Sequence, residues 1–182
     1  MTTAIEALKS VFETFMDDEP KPPLHIGEAM ACWTYLAILN EASRYLEIAL
    51  NTTTDKDLSQ SLVDSRDQCQ SESRQLTDFM RHEGLSLPPT SEAKPKSEPD
   101  DIPIGVKMTD DEIANGLSIK TVAAILHCAA SASESIRSDV GMMFTQFQAE
   151  KLKYGATLKV LMKKRGWLKT PPYYNPPGLP ES

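Results

Sequence analysis

Glutamates and histidines on neighbouring helices are the residues of this chain that could do metal chemistry. Helical bundles that hold two metal ions take one Glu from each of two helices and a Glu-x-x-His motif from each of the other two, because a three-residue spacing places both side chains over one ion. Two helical stretches contain such a Glu, but Gln75 follows Glu72 and Lys153 follows Glu150 where the imidazole is needed. The sequence therefore does not predict an intact dinuclear site.

The other two helical stretches contain a matched pair of carboxylates, Glu47 and Glu134, and a single mid-helix histidine, His127. Both glutamates lie toward helix ends, where a charged side chain is usually solvated. His127 stands alone in the segment AAILHCAA and is expected to be a hydrogen-bonded core residue. We expect no cofactor and no catalytic residue, and keep as an alternative an iron or manganese site with divergent ligands. Its candidate ligands are Glu72, Glu150, His127 and Glu134.

Glu72 is the most informative polar residue because its neighbours on the helix face are apolar and an unpaired buried carboxylate is costly. We expect a neutralising or hydrogen-bonding partner, with Tyr154, His127 and Arg74 as candidates.

Other nucleophilic or phosphate-binding patterns are missing from the sequence. The three cysteines are an odd number without a short C-x-x-C spacing, which argues against a disulfide framework or a zinc cluster. We expect Cys32, Cys69 and Cys128 to be buried thiols. An aromatic group at Trp33, Tyr35 and Tyr45 could shape a small-molecule pocket, although aromatics at helical spacing usually belong to a core.

Composition limits the class of protein. A chain of 182 residues can bury the core of one domain, and a formal charge of −7 with a pI near 5.0 argues against nucleic-acid or anionic membrane surfaces as partners. The N-terminus lacks a signal-peptide pattern, and we expect no stretch that approaches the ~18 apolar residues of a membrane helix. These features predict synthesis in the cytoplasm and protein partners.

Hydrophobic periodicity predicts one short and four long helices. Apolar residues at spacings of three and four predict an amphipathic helix over residues 2–16, which with its linker forms a segment over 1–22 and could serve as a lid or a dimer contact. The seams of the first two long helices consist of Ala29, Cys32, Leu36, Leu39, Ser43, Leu46 and Leu50, then Leu58, Leu62, Ser65, Cys69, Glu72, Leu76 and Phe79. The last two are expected to use Val122, Ile125, Ala129 and Ile136, then Phe144, Phe147, Tyr154, Leu158 and Leu161.

The helix ends are marked by local signals. Thr109 and Glu112 form a capping box, Thr54 is a candidate N-cap, and Gly84 and Gly166 are expected to end helices in the left-handed conformation.

The chain also echoes itself. Leu76, Met80 and Gly84 match Leu158, Met162 and Gly166 at a constant separation of 82, and a Pro pair closes each copy. Leu36–Leu39 matches Ala123–Leu126 at a separation of 87. We predict two repeated hairpins, 23–85 and 109–168, joined by a long crossover over 86–108 that lacks a helical period. Two hairpins with one long connection is the ferritin-like way to build a four-helix bundle. The predicted fold is all-α, a domain over 23–168 followed by an extended Pro- and Tyr-rich tail over 169–182.

The segments PLHIGEAMACWTYL (23–36), GLSLPP (84–89) and KKRGWLKTPPYYNPP (163–177) resemble an uncharacterised family of ferritin-like proteins from Bacillus and its relatives. Members are often labelled spore-coat-protein-like because they are similar to the coat protein F group. The resemblance covers nearly the whole chain from Pro23. It implies a ferritin-like bundle and an association with spore-forming bacteria, and it implies no catalytic residues.

These observations favour a non-enzymatic bundle that works by protein association around the spore coat, including association into a homodimer. Two alternatives stay open: the divergent two-metal protein, and a bundle that binds a small apolar ligand.

Overall fold

The computed structural model describes Thr3, Glu6, Ser10 and residues 21–174. Within these residues the chain forms four long α-helices and no strand, which confirms the all-helical prediction. The helices are α1 (Ile26–Thr52), α2 (Lys56–His82), α3 (Asp110–Glu134) and α4 (Ser138–Arg165), and a 3-10 helix at Pro99–Asp101 lies between α2 and α3. The helix predicted over 2–16 and the end of the tail, 175–182, lie outside the described residues, apart from three isolated positions in the former.

Two antiparallel hairpins, α1–α2 and α3–α4, pack so that α1 lies beside α3 and α2 beside α4. At one end of the bundle, Thr53 Oγ1 donates to Asp110 Oδ1 at 2.6 Å, which joins the end of α1 to the start of α3. At the same end, Arg165 Nε donates to Asp55 Oδ2 at 2.9 Å, which joins the end of α4 to the start of α2. The helices of both inter-hairpin pairs are therefore antiparallel.

The segment between α2 and α3 must return along the whole bundle, because α2 ends at the opposite end from the start of α3. It runs along the outside of α1 and is held by three hydrogen bonds. These are Asn40 Nδ2 to Thr90 Oγ1, the Lys94 N–H to Glu47 Oε2 and Asn51 Nδ2 to the Pro95 carbonyl, each 2.8 Å long. The long crossing predicted from composition is thus present.

N-terminal caps follow the local sequence, with one correction. Thr109 Oγ1 accepts from the Glu112 N–H at 3.2 Å, and Glu112 Oε2 accepts from the Thr109 N–H at 2.7 Å, as the capping box predicted. Helix α2 is capped by Asp55, whose Oδ1 accepts from the Leu58 N–H at 2.9 Å. Thr54 was expected to be this cap, but the carboxylate one residue later is in register with the first turn.

Gly84 and Gly166 end α2 and α4 with φ of +73° and +74°, as predicted. Each is followed by a residue whose N–H donates back to the last turn, Leu85 to the Met80 carbonyl at 2.8 Å and Trp167 to the Met162 carbonyl at 2.9 Å. This pairing satisfies carbonyls that the helix itself leaves open, and glycine is the residue that reaches this backbone region without strain.

The core contains most of the predicted seam residues of α1 and α2, but the predicted seam of α3 is wrong. Val122 is 52% exposed, and Ile136, which lies beyond the end of α3, is 78% exposed. The buried residues of α3 are Ile113, Ala114, Leu117, Thr121, Ala124, Cys128 and Ser131. Because α3 is apolar around most of its circumference, periodicity alone could not select its inner face, and packing selected a face that bears smaller side chains.

Helix α3 is long and apolar enough, by length and composition, to span a membrane, and about a third of its most apolar stretch is buried. The expectation that no stretch approaches these limits is therefore wrong for α3. Core helices of globular proteins pass the same test, so the finding is weak evidence for a membrane span. Its direct meaning is that much of the apolar surface of α3 faces outward.

Equivalent residues of the two proposed repeats agree in burial in only one of the two matched segments. Leu76 and Leu158 are both buried, as are Met80 and Met162. In the other half, Leu39 is buried whereas its proposed counterpart, Leu126, is 64% exposed. Burial does not support the alignment of Leu36–Leu39 with Ala123–Leu126, and the repeat and the ferritin-like topology remain predictions.

Candidate functional site

The centre of the bundle contains a buried polar cluster around Glu72 on α2. Glu72 is 1% exposed, and its Oε2 accepts a hydrogen bond of 2.8 Å from Tyr35 Oη on α1. Lys151 Nζ on α4 lies 3.1 Å from Glu72 Oε1 and 3.6 Å from Cys69 Sγ. Three helices thus contribute one member each to a carboxylate, ammonium and phenol cluster, with a thiol at its edge.

Helical register places Lys151 in this cluster. Phe144, Phe147, Lys151 and Leu158 occupy one face of α4 at spacings of three, four and seven, and all four are buried. The side chain of Lys151 is 5% exposed, so its ammonium group is removed from water along with the Glu72 carboxylate. An isolated charge of either sign would be costly here, and the pair is tolerated because the charges neutralise each other.

Aromatic rings enclose the phenol. The Tyr35 ring stacks on His127 with a centroid distance of 5.5 Å and an interplanar angle of 6°, and it contacts Phe147 at 5.6 Å and Phe144 edge-on at 5.8 Å. His127 Nε2 donates to the Ala31 carbonyl at 3.1 Å. His127 is therefore a hydrogen-bonded residue of the α1–α3 interface, as expected from its sequence context.

Burial determines the electrostatics of the cluster. Burial raises the pKa of Glu72. The Lys151 ammonium and the Tyr35 hydroxyl favour the carboxylate and so partly offset this rise. The Glu72 Oε1 atom accepts no hydrogen bond of good geometry, so its contact with Lys151 is chiefly Coulombic. Burial likewise raises the pKa of Tyr35, which keeps the phenol protonated and able to donate.

The cysteines are poor nucleophiles for the same reason. All three are free and buried, as predicted. Burial raises the pKa of Cys69, and it raises the pKa of Cys32 and Cys128 to about 12. Because the thiolate is the reactive form, none of the three has the character of a catalytic cysteine.

The expected partners of Glu72 were wrong. Tyr154 Oη instead donates to the Ser61 carbonyl at 3.1 Å, and His127 pairs with α1. A signal for the true partner was present, since the predicted α4 face skips six residues between Phe147 and Tyr154, and Lys151 lies in this gap. A lysine on a helix is usually exposed, so its position in the sequence does not by itself indicate a buried partner.

The four candidate metal ligands do not come together. Glu150 accepts from Gln146 Nε2 at 3.2 Å on the outer part of α4, and Glu134 is exposed at the end of α3. Among the residues that the structure describes, no group of three or more His, Cys, Asp or Glu side chains could hold a metal ion. The negative charge of the Glu72 carboxylate, which a metal ion would need, is already neutralised by the Lys151 ammonium.

A second polar cluster, which the sequence did not reveal, joins the two hairpins at the α3–α4 turn. Arg137 is 4% exposed and forms paired hydrogen bonds of 2.7 and 2.9 Å with Glu83 and, again, of 2.9 and 2.7 Å with Asp139. Glu28 Oε1 accepts from the Ile136 and Arg137 N–H groups at 2.9 and 2.8 Å. The arginine lowers the pKa of both Glu83 and Asp139, through hydrogen bonds first.

The aromatic group at Trp33, Tyr35 and Tyr45 does not form one pocket. Tyr35 belongs to the core, Tyr45 lines a groove between α1 and α3, and Trp33 lines a separate shallow pocket with Met80 and Leu85.

Several proteins are similar to this chain. YvdQ of Bacillus subtilis strain 168, an uncharacterized protein, is 34% identical over 152 residues, which cover 84% of this chain and 89% of YvdQ. The crystal structure of a Bacillus halodurans protein, provisionally described as a spore coat protein, matches with a TM-score of 0.83 at 34% identity. That match covers 85% of this chain and 98% of the other.

A DUF305 fragment from Deinococcus radiodurans matches with a TM-score of 0.62 at 13% identity, covering 79% of this chain and 99% of the fragment, which shows the fold alone. The family model DUF3231, described as a protein of unknown function, matches residues 14–178. The resemblance inferred from the sequence is thereby confirmed, and this chain belongs to the DUF3231 family.

Proposed function

We propose that this protein is a non-enzymatic, ferritin-like helical bundle that acts by protein association in or around the spore coat. The Bacillus halodurans relative supports the location, since it carries the spore coat description and matches over most of both chains. The core supports a structural role, because the buried Glu72 carboxylate is neutralised by Lys151 and burial raises the pKa of the Cys69 thiol.

One observation carries the association: the outer face of α3 is an apolar seam that none of the described residues covers. Ile119, Val122 and Leu126 are 70%, 52% and 64% exposed. With Ala129 and Ser133 they continue a spacing that alternates three and four, which is the pattern of a helix that packs against another helix. We name these five residues the α3 outer seam.

A second copy of this chain is the occupant that fits the α3 outer seam. The seam contains no charged residue, so two copies can pair without placing like charges opposite each other, despite the net charge of −7. Two such helices, related by a twofold axis, would cover both exposed seams at once. The proposed unit is a homodimer held by α3.

The oligomeric state of the purified protein tests this proposal. Sedimentation velocity is expected to give a dimer for the native chain and a monomer for Leu126→Glu, because the introduced charge would be buried against an apolar seam. Val160→Glu is the matched control, since Val160 is 70% exposed on α4 and lies outside the seam. A monomeric native chain, or a Leu126→Glu variant that still dimerises, would refute the α3 interface.

Location is tested separately. A tagged chain expressed from its own promoter in a sporulating host is expected in the coat fraction of purified spores, and the Leu126→Glu variant is expected to be depleted there. Recovery of the native chain only from vegetative cytosol would remove the coat assignment without bearing on the dimer.

A further inference from the structure

We propose that the groove between α1 and α3 binds a single acyl chain with an anionic head group. The groove lies between the middle parts of the two helices and has a volume of about 400 Å³. Its walls are formed mainly by small side chains from both helices. These are Ala37, Ile38 and Ala42 on α1 and Thr121, Ala123 and Ala124 on α3.

The groove exists because α1 and α3 are held together above and below it. At one end His127 Nε2 bonds to the Ala31 carbonyl at 3.1 Å, and at the other Tyr45 Oη donates to the Ile113 carbonyl at 2.8 Å. Gly116 permits the second contact, since a Cβ there would lie 2.4 Å from Tyr45 Oη. Between these two contacts, the alanine and threonine side chains are too short to fill the space between the helices.

The floor of the groove suits an apolar ligand. It is formed by Leu39, Leu46, Ser65, Cys69 and Lys151. The lysine is the only ionised group among them, and it is paired with Glu72 at 3.1 Å, so the floor presents no uncompensated charge.

The length and the volume of the groove indicate the kind of ligand. From Thr34 to Tyr45 the groove follows about 16 Å of α1, at 1.5 Å per residue. A volume near 400 Å³ lies within the range of small-molecule sites, and a narrow, apolar trough of this length matches one extended alkyl chain.

Charge at the Tyr45 end indicates the head group. Lys120 lies at the rim with Nζ 5.0 Å from the centroid of the Tyr45 ring, and no described carboxylate forms an ion pair with it. Glu41 lies on the opposite rim, and its carboxylate repels an anionic ligand. The floor and the remaining walls carry no free charge, so Lys120 is the group placed to receive a carboxylate.

Calorimetric titration with three ligands of one chain length tests the proposal. Dodecanoate and dodecyltrimethylammonium, each below its critical micelle concentration, and dodecanol, below its solubility limit, share the alkyl chain and differ in head-group charge. We expect dodecanoate to bind most tightly and the cationic ligand most weakly. No binding of any of the three, or preference for the cation, would overturn the proposal.

Two substitutions separate the chain site from the head-group site. Ala37→Leu fills the groove and is expected to weaken dodecanoate and dodecanol alike by about tenfold or more. Lys120→Gln is expected to weaken dodecanoate by about tenfold while leaving dodecanol unchanged, and Glu41→Gln is expected to strengthen dodecanoate. Equal affinity of Ala37→Leu and the native chain would refute the groove as the site.

Ala156→Leu is the matched control, because Ala156 is an exposed alanine on α4 away from the groove. If Ala37→Leu does not fold, as judged by its melting transition, Ala42→Leu replaces it with the same expected loss. These titrations measure ligand binding, and their result is independent of whether α3 mediates dimerisation.

Discussion

Replacement of Lys151 by methionine should reveal how the bundle tolerates a carboxylate in its core. Methionine has nearly the same length and an apolar tip, so it preserves packing on α4 while removing the charge that balances Glu72. Burial already raises the pKa of Glu72, and loss of the ammonium removes the main influence that lowers it. In the variant, Glu72 is expected to take up a proton at neutral pH.

The size of the effect follows from this proton. We take Glu72 as neutral in the folded variant, with a pKa of about 4.3 in the unfolded chain. The free energy of unfolding then falls by 1.36 kcal/mol for each pH unit above 4.3, or by about 3.7 kcal/mol at pH 7. This is an upper limit, since the native pair also loses hydration on burial, and we expect a loss of about 2–4 kcal/mol at pH 7.

The pH dependence distinguishes charge from packing. The folded Lys151→Met variant binds one more proton than its unfolded chain above pH 4.3, so its free energy of unfolding falls as pH rises through that range. Its deficit relative to the native protein should shrink to a few tenths of a kcal/mol near pH 4.5. Urea unfolding followed by circular dichroism from pH 4.5 to 7.5 measures this difference directly.

Two controls complete the experiment. Lys159→Met removes an exposed lysine from the same helix and is expected to change stability by less than about 0.5 kcal/mol. Adding Glu72→Gln to Lys151→Met removes the unpaired carboxylate while keeping an acceptor for Tyr35, and should recover most of the loss at pH 7. A deficit that is equal at pH 4.5 and 7.5 would show that lost packing, not an unpaired charge, is responsible.

Three further perturbations test other parts of the fold. Gly166→Val should lower the free energy of unfolding by about 1–2 kcal/mol, because φ of +74° strains a β-branched residue, whereas Gly105→Val, in open space without that backbone conformation, should be nearly neutral; equal melting temperatures would contradict this reasoning. Arg137→Met should cost about 2–3 kcal/mol at pH 7. Because Glu83 and Asp139 have lowered pKa values, their contribution to the free energy of unfolding is present above the ordinary carboxyl pKa near 4 and is lost as pH falls below it. The variant should therefore lose less stability than the native protein when urea unfolding is repeated at acid pH. An unchanged loss at acid pH would count against the cluster. Deletion of residues 90–100 should change the free energy of unfolding little, because the remaining crossover can still span about 50 Å and α2 is about 40 Å long. Loss of cooperative melting would mean that this segment belongs to the core.

The four long helices, most of their ends and three of the four inner faces could be read from the sequence because they depend on neighbours within a few residues. The capping box at Thr109 and the left-handed glycines 84 and 166 are local interactions between side chain and backbone, and they formed as predicted. On α2 the apolar seam stands out against a polar remainder, so its buried face was unambiguous, Glu72 included.

Only the tertiary structure decided which face of α3 is inside and what neutralises Glu72. Helix α3 is apolar on nearly every side, so many orientations satisfy its hydrophobic pattern, and contacts with α1 and α4 selected the face bearing Ala124 and Cys128. Lys151 is distant from Glu72 in sequence, and a lysine on a helix is exposed in most proteins. Pairing of two buried charges depends on the approach of separate helices, which short-range patterns in one chain do not encode.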